Sequence, residues 1–148
     1  VIVEAQVAIR GSRAAVWAAI TDIEHAAEIL GGVEKIEVLE KPARGLVGLK
    51  WRETRILFGD PASVDKWITE AAENESYRTR AEMDGFLFLT TMRISESGDG
   101  VTLTSAHETR PQGFVARLKS IPMVLFRGVI RKYILQDLND IKAAVEGK

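Results

Sequence analysis

Val1, Val3, Ala5, Val7 and Ile9 alternate with Glu4, Gln6 and Arg10, a period of two that predicts a half-buried strand. Gly11-Ser12 ends it, and Ser12 is placed to cap a helix whose Val16, Trp17 and Ile20 share one face. Thr21 with Glu24 three residues on has capping-box spacing, which predicts a second short helix stopped by Gly31-Gly32. From residue 33 to 110 strand follows strand, separated by Pro42-Ala43-Arg44-Gly45, Gly59-Asp60-Pro61, Asn74-Glu75, Asp84-Gly85 and Gly98-Asp99-Gly100, the pattern of an antiparallel meander. Tyr77, Thr79, Ala81 and Met83 oppose Arg78, Arg80, Glu82 and Asp84. Phe86, Phe88, Thr90, Met92 and Ile94 share a side of the next strand, and Val101, Leu103, Ser105 and His107 a side of the last. The strands holding Trp51 and Trp67 carry apolar and charged residues at both parities, so their facing stays open.

After Pro111-Gln112-Gly113 the period becomes helical. Phe126, Ile130, Tyr133, Ile134, Leu138, Ile141 and Val145 form an apolar stripe, with Lys132, Gln136, Asp140 and Lys142 on or near the opposite face. Pro122 kinks this helix or separates it from a short lead-in helix carrying Phe114, Val115 and Leu118. An antiparallel sheet of about seven strands must bury one face, and only the C-terminal helix is long enough to cover it. The expected class is therefore α+β: a curved sheet, with two short helices after its first strand, wrapped around a long last helix. No repeat or linker interrupts the pattern, so residues 1–148 are expected to form one domain.

Composition narrows the chemistry. The 148 residues include no cysteine, which removes disulfides, cysteine-ligated metals and thiol catalysis. A chain of this length buries roughly 70% of its unfolded surface and needs no such staple. A net charge of −1 gives no field to draw a polyanion, so no nucleic-acid partner is expected. No apolar run approaches the roughly 20 residues of a membrane helix, and the alternating start is unlike a signal peptide. The cytoplasm is the expected compartment, as monomer or homodimer.

The element order, with several short motifs, resembles the START-like helix-grip (SRPBCC) superfamily, most closely its polyketide cyclase/dehydrase and lipid-transport branch. The motifs are Val16-Trp17-Ala18-Ala19-Ile20-Thr21-Asp22 in the first helix, Val47-Gly48 opening the third strand, and Ile68-Thr69-Glu70. Pro111-Gln112-Gly113-Phe114 with Arg117-Leu118 and the closing Leu138, Ile141-Lys142 and Glu146 complete the set. The chain lacks the glycine-rich loop of the birch-pollen-allergen group, and Ser105-Ala106-His107-Glu108 stands where many members place a Thr-Trp pair. The resemblance implies a cavity between sheet and last helix, holding a hydrophobic small molecule and no cofactor.

Four sets of residues are candidates for chemistry. His107, on the inward face, has a ring whose ordinary pKa lies near neutrality and suits it as a general base. The alternative is a histidine hydrogen-bonded in the wall. Glu53 and Arg55, with Trp51, share a face of the third strand: inward they form a compensated buried pair that orients a ligand's polar end, outward a solvated surface. His25 and Glu28 stand at metal-ligand spacing on a helix or form an exposed polar pair, and no metal is expected. Arg117, Lys119, Arg127, Arg131 and Lys132 beside Phe114, Met123 and Leu125 suit either transient contact with an anionic membrane or an ordinary solvated face. The remaining ligand-binding candidates are Tyr77, Thr79, Phe88, Thr90, Met92, Ser105, Phe126 and Ile130, with the small hydroxyls as hydrogen-bonding groups.

The expected function is binding of a lipid, isoprenoid or polyketide-like molecule. The alternative is a cyclase or aromatase that promotes aldol closure and dehydration with His107 as base. A third reading is a ligand-responsive interaction domain using an apolar patch at Met123 to Phe126. There is no nucleophile elbow, phosphate loop or dinucleotide glycine motif.

Overall fold

A computed structural model describes residues 2–57, 59–83, 85–113 and 127–147. The expected lead-in helix and Pro122 kink, the patch at Met123 to Phe126, and Arg117 and Lys119 lie outside the described residues.

Strand β1 (Ile2–Ile9) leads to helix α1 (Arg13–Thr21), a 3₁₀ turn (Ile23–His25) and helix α2 (Ala26–Ile29). Strands β2 (Val33–Glu40), β3 (Lys50–Leu57), β4 (Asp60–Ala72), β5 (Ser76–Met83), β6 (Phe86–Ser97) and β7 (Gly100–Pro111) follow, then helix α3 (Arg127–Glu146). The sheet is antiparallel with spatial order β1-β7-β6-β5-β4-β3-β2, so the meander closes on β1 at one edge and leaves β2 at the other. Helix α3 packs against the sheet and runs mainly along β1. This is the α+β helix-grip fold.

The sequence pattern accounts for most of these elements. In β1 the apolar parity is the buried one, with Val3, Ala5 and Ile9 inside. The Ser12 side chain accepts from the Ala15 backbone N–H at 3.1 Å and caps α1 as expected. Asn74 takes the left-handed conformation (φ 62°) at the β4–β5 turn, where a short polar side chain is best tolerated. On the core side Ile9, Val16, Ile68, Leu103 and Leu138 are sealed almost completely from solvent.

Three local expectations are corrected. Thr21 and Glu24 do not form a capping box: the Thr21 hydroxyl donates back to the Trp17 carbonyl at 2.6 Å, and Glu24 instead receives Lys41 at 2.8 Å. The chain therefore turns through a 3₁₀ segment before α2. Strand β3 begins at Lys50 rather than Val47, because Gly48 sits at φ 97° and breaks the extended run. Gly59 alone (φ 84°) tightens the β3–β4 turn, which leaves Asp60 and Pro61 inside β4. On the polar side of α3, Asp140 and Lys142 hold the helix to its neighbours. Asp140 accepts from the Gly31 N–H at 3.0 Å and Lys142 donates to the Ala8 carbonyl at 2.8 Å, because the flanks of α3 meet the α2–β2 turn on one side and β1 on the other.

Candidate functional site

The β3–β4 register settles the facing that the sequence left open. Trp51, Glu53 and Arg55 point inward, Trp51 opposite Lys66 and Glu53 opposite Val64, while Trp67 turns outward beneath the Lys50 ammonium, 5.8 Å from the ring centre. Between this wall, β5–β7, α1–α2 and α3 lies a cavity of about 100 Å³. Trp51, Glu53, Arg55, Tyr77, Thr79, Thr90, Met92, Ser105 and His107 all border it. Phe88 and Ile130 do not. Phe88 lies two residues beyond Thr90 toward the β5–β6 turn, its ring 6.3 Å from Phe86, and Ile130 packs on the core one turn before Ile134. Phe126 is outside the described residues.

Glu53 is the centre of the polar wall and only 6% exposed. Its Oε1 accepts from the Trp51 indole N–H at 3.3 Å, and its Oε2 accepts from Arg55 Nε at 2.6 Å and Lys66 Nζ at 3.0 Å. The far side of the Arg55 guanidinium donates to both carboxylate oxygens of Asp137 on α3, at 3.2 and 2.7 Å. Burial opposes ionisation of Glu53, but the Lys66 and Arg55 charges outweigh it and hold the acid at about 2. Burial also opposes the Arg55 charge, and Glu53 and Asp137 together raise its pKa above the ordinary arginine value. Glu53 and Arg55 therefore both keep their charge at neutral pH, each paired.

His107 borders the cavity with a long contact of 3.4 Å between Nδ1 and the Thr90 hydroxyl. Burial, reinforced by the Lys66 and Arg55 charges and only partly offset by Glu53, brings it down to about 3. The ring is neutral at physiological pH and a weak base, since a general base works best with a pKa near the operating pH. Tyr77 donates its hydroxyl to the Ile20 carbonyl at 3.0 Å and meets Trp17 edge-on at 6.1 Å, which fixes α1 over the sheet. Burial raises its pKa, so the phenol stays protonated.

The His25–Glu28 pair does not assemble as a metal site. His25 Nδ1 instead contacts Asp22 at 2.8 Å, which raises the His25 pKa, and no metal-binding cluster of three or more acidic or imidazole groups occurs among the described residues. Arg127, Arg131 and Lys132 are exposed on α3, and no described helix is long and apolar enough to cross a membrane.

Lys66 and Asp137 were missed by sequence reasoning, yet both left a trace. Closing the hairpin on Gly59 puts Lys66 opposite Trp51. Asp137 stands three residues after Ile134 and four before Ile141, within the apolar stripe, where a carboxylate requires a buried partner.

A family model described as polyketide cyclase/dehydrase and lipid transport matches residues 1–146. The chain belongs to this family. Members of the wider fold share its architecture at low identity. TTHA0849 from Thermus thermophilus is 16% identical, with TM-score 0.81 over 99% of this chain and 98% of that one. A START superfamily protein from Mycobacterium smegmatis is 14% identical, TM-score 0.80, over 99% and 97%. The Zhui aromatase/cyclase from Streptomyces sp. R1128 is 20% identical, TM-score 0.76, over 99% and 93%. No curated protein sequence matches the chain. At these identities the solved structures speak for the fold, and the chemistry of this family member rests on its own wall residues.

Proposed function

We propose that the chain, acting as a single domain, binds a hydrophobic or amphipathic small molecule of the lipid, isoprenoid or polyketide-like class between its sheet and α3. The observation that carries this reading is the two-faced wall: Ile20, Ile23, Ile134 and Leu138 on the helical side, and the Glu53 cluster with Thr79, Ser105 and His107 on the sheet side. Convergent polar groups in an otherwise apolar hollow are what a site needs to orient such a ligand. The space of about 100 Å³ is smaller than a typical drug-sized site. It is of the order of the roughly 150 Å³ apolar cavity that accepts benzene, so the part of the ligand inside these walls is about one ring or a short branched chain.

Native mass spectrometry of the purified protein, followed by solvent extraction, tests the proposal. A retained apolar molecule lost on Ser105→Leu, which fills the cavity, supports it. An adduct unaffected by that variant, or no adduct and no uptake of small aromatic probes, overturns it.

A second reading, cyclisation and dehydration of a polyketide chain, draws support from a structural relative described as an aromatase/cyclase, and His107 at the wall is the group on which it would depend. Incubation with a poly-β-ketone substrate discriminates: a product distribution that is the same with His107→Ala removes the imidazole mechanism.

A further inference from the structure

We infer that the polar end of the bound molecule is uncharged, a hydroxyl, ketone or phenol, and that Glu53 and Asp137 set this selectivity by neutralising the cations of the cavity wall. The inference rests on the ligand site proposed above and concerns which head group that site accepts.

The polar wall contains two cations and two anions. Lys66 and Arg55 both bond Glu53, and Arg55 also holds Asp137 through a two-point contact. The other polar groups inside the space, Tyr77, Thr79, Thr90, Ser105 and His107, carry no charge at neutral pH. At the rim Asp22 is half-exposed and faces His25 at 2.8 Å, so the rim offers no unmatched cation either.

A carboxylate or phosphate head entering this wall finds no spare cation, because Lys66 is already matched by Glu53 and Arg55 by Glu53 and Asp137. It adds a negative charge to a low-dielectric place where the charges already balance, and burial of an undercompensated charge is costly. A cationic head meets the reverse problem, since Glu53 and Asp137 are already engaged by Arg55 and the rim carboxylate Asp22 by His25. A neutral oxygen faces neither penalty. Lys66 has three N–H donors and one bond to Glu53, so it can donate to such an oxygen without leaving its partner. The imidazole and the wall hydroxyls accept or donate around it. Selectivity then arises because the wrong head groups leave buried charges unpaired, not because the right one gains a strong bond.

Three probes built on one benzene ring, the size the cavity admits, test this by isothermal titration calorimetry at neutral pH: phenol, benzoate and benzylammonium. The wild type is expected to bind phenol tighter than either charged analogue by about tenfold or more. Glu53→Gln keeps the shape of the side chain and one acceptor oxygen but leaves Lys66 and Arg55 in positive excess, so the benzoate-to-phenol affinity ratio rises by about tenfold or more. Asp137→Asn, on the partly exposed flank of α3, moves the ratio in the same direction and decides the matter if Glu53→Gln does not fold. Wild-type protein that binds benzoate or the ammonium probe as tightly as phenol overturns the charge argument while leaving the ligand site standing. A ratio unchanged in the folded variants overturns the assignment to these carboxylates. Failure of all three probes to bind removes the ligand site itself, and this inference with it.

Discussion

Replacing Glu53 with glutamine is the sharpest test of the buried cluster, because its effect is a function of pH. Between the ordinary value of 4.5 and the folded value of about 2, the unfolded chain binds a proton that the native protein does not. The native state therefore loses stability as pH falls through that window, and the contribution is complete above about pH 5. At about 1.4 kcal/mol per pH unit the gap amounts to about 3 kcal/mol. This agrees with the roughly 3–5 kcal/mol that removing one member of a buried pair costs. Glu53 is almost wholly inaccessible, so solvent screening takes little from that figure. Urea unfolding of wild type and Glu53→Gln at intervals from pH 7 to pH 2 isolates the effect, since groups common to both proteins cancel in the difference. Glu53→Gln is expected to be less stable by about 3 kcal/mol at pH 7 and to approach wild type as the acid limit nears. A difference independent of pH refutes the reasoning, because it would mean that Glu53 titrates alike in the folded and unfolded chain.

His107 is expected to act in a separate range: its folded value of about 3 lies below the ordinary 6.5, so stability is lost as pH falls from about 6.5 toward 3. His107→Gln should flatten the unfolding free energy between pH 6.5 and 5, where Glu53 is silent, and an unchanged slope there counts against a buried neutral ring. Gly100→Ala places a Cβ against the backbone carbonyl of Ile9, where no side chain can move aside, and is expected to disrupt the β1–β7 edge and lower the thermal midpoint more than Gly98→Ala does. Tyr77→Phe removes the bond to the Ile20 carbonyl and is expected to cost about 1–3 kcal/mol in denaturant unfolding, with a value near zero refuting that anchor.

The fold was legible because its periodicities are strong and local. Alternation in β1, β5, β6 and β7, glycine at the tight turns, and a continuous helical stripe after residue 126 each depend on neighbours a few residues apart. The misread details share a different cause. The Thr21–Glu24 spacing is a local signal, but Lys41, seventeen residues away, takes the glutamate. Asp140 and Lys142 lie near the polar face of the helix, as the wheel places them, and the wheel does not tell that each also bonds a backbone group of the α2–β2 turn or β1, more than a hundred residues away in sequence. Local patterns supply donors and acceptors without saying which long-range partner competes for them.

Strand β3 shows why the site was only half legible. Trp51, Glu53 and Arg55 alternate with Arg52, Thr54 and Ile56, so hydrophobicity favours neither face, and the ambiguity is itself a consequence of putting charges inside. What turns the strand is the company that Glu53 finds: Lys66 across the hairpin and, through Arg55, Asp137 on α3, which span β4, β3 and the last helix. Each of those groups alone would be expelled from the interior; only as a set are they stable there. The same set ties α3 to the far half of the sheet, opposite the edge where the helix runs along β1, and keeps the cavity between them polar on one side. An apolar replacement of the whole cluster would therefore be tolerated by the fold more readily than by the site. A variant with Glu53, Arg55, Lys66 and Asp137 all made apolar should unfold at no lower urea concentration than Glu53→Gln and yet lose the preference for phenol's hydroxyl over plain benzene. If that variant retained the preference, Thr79, Thr90, Ser105 and His107 would be sufficient to read the ligand's polar end, and the ion pairs would serve the fold alone.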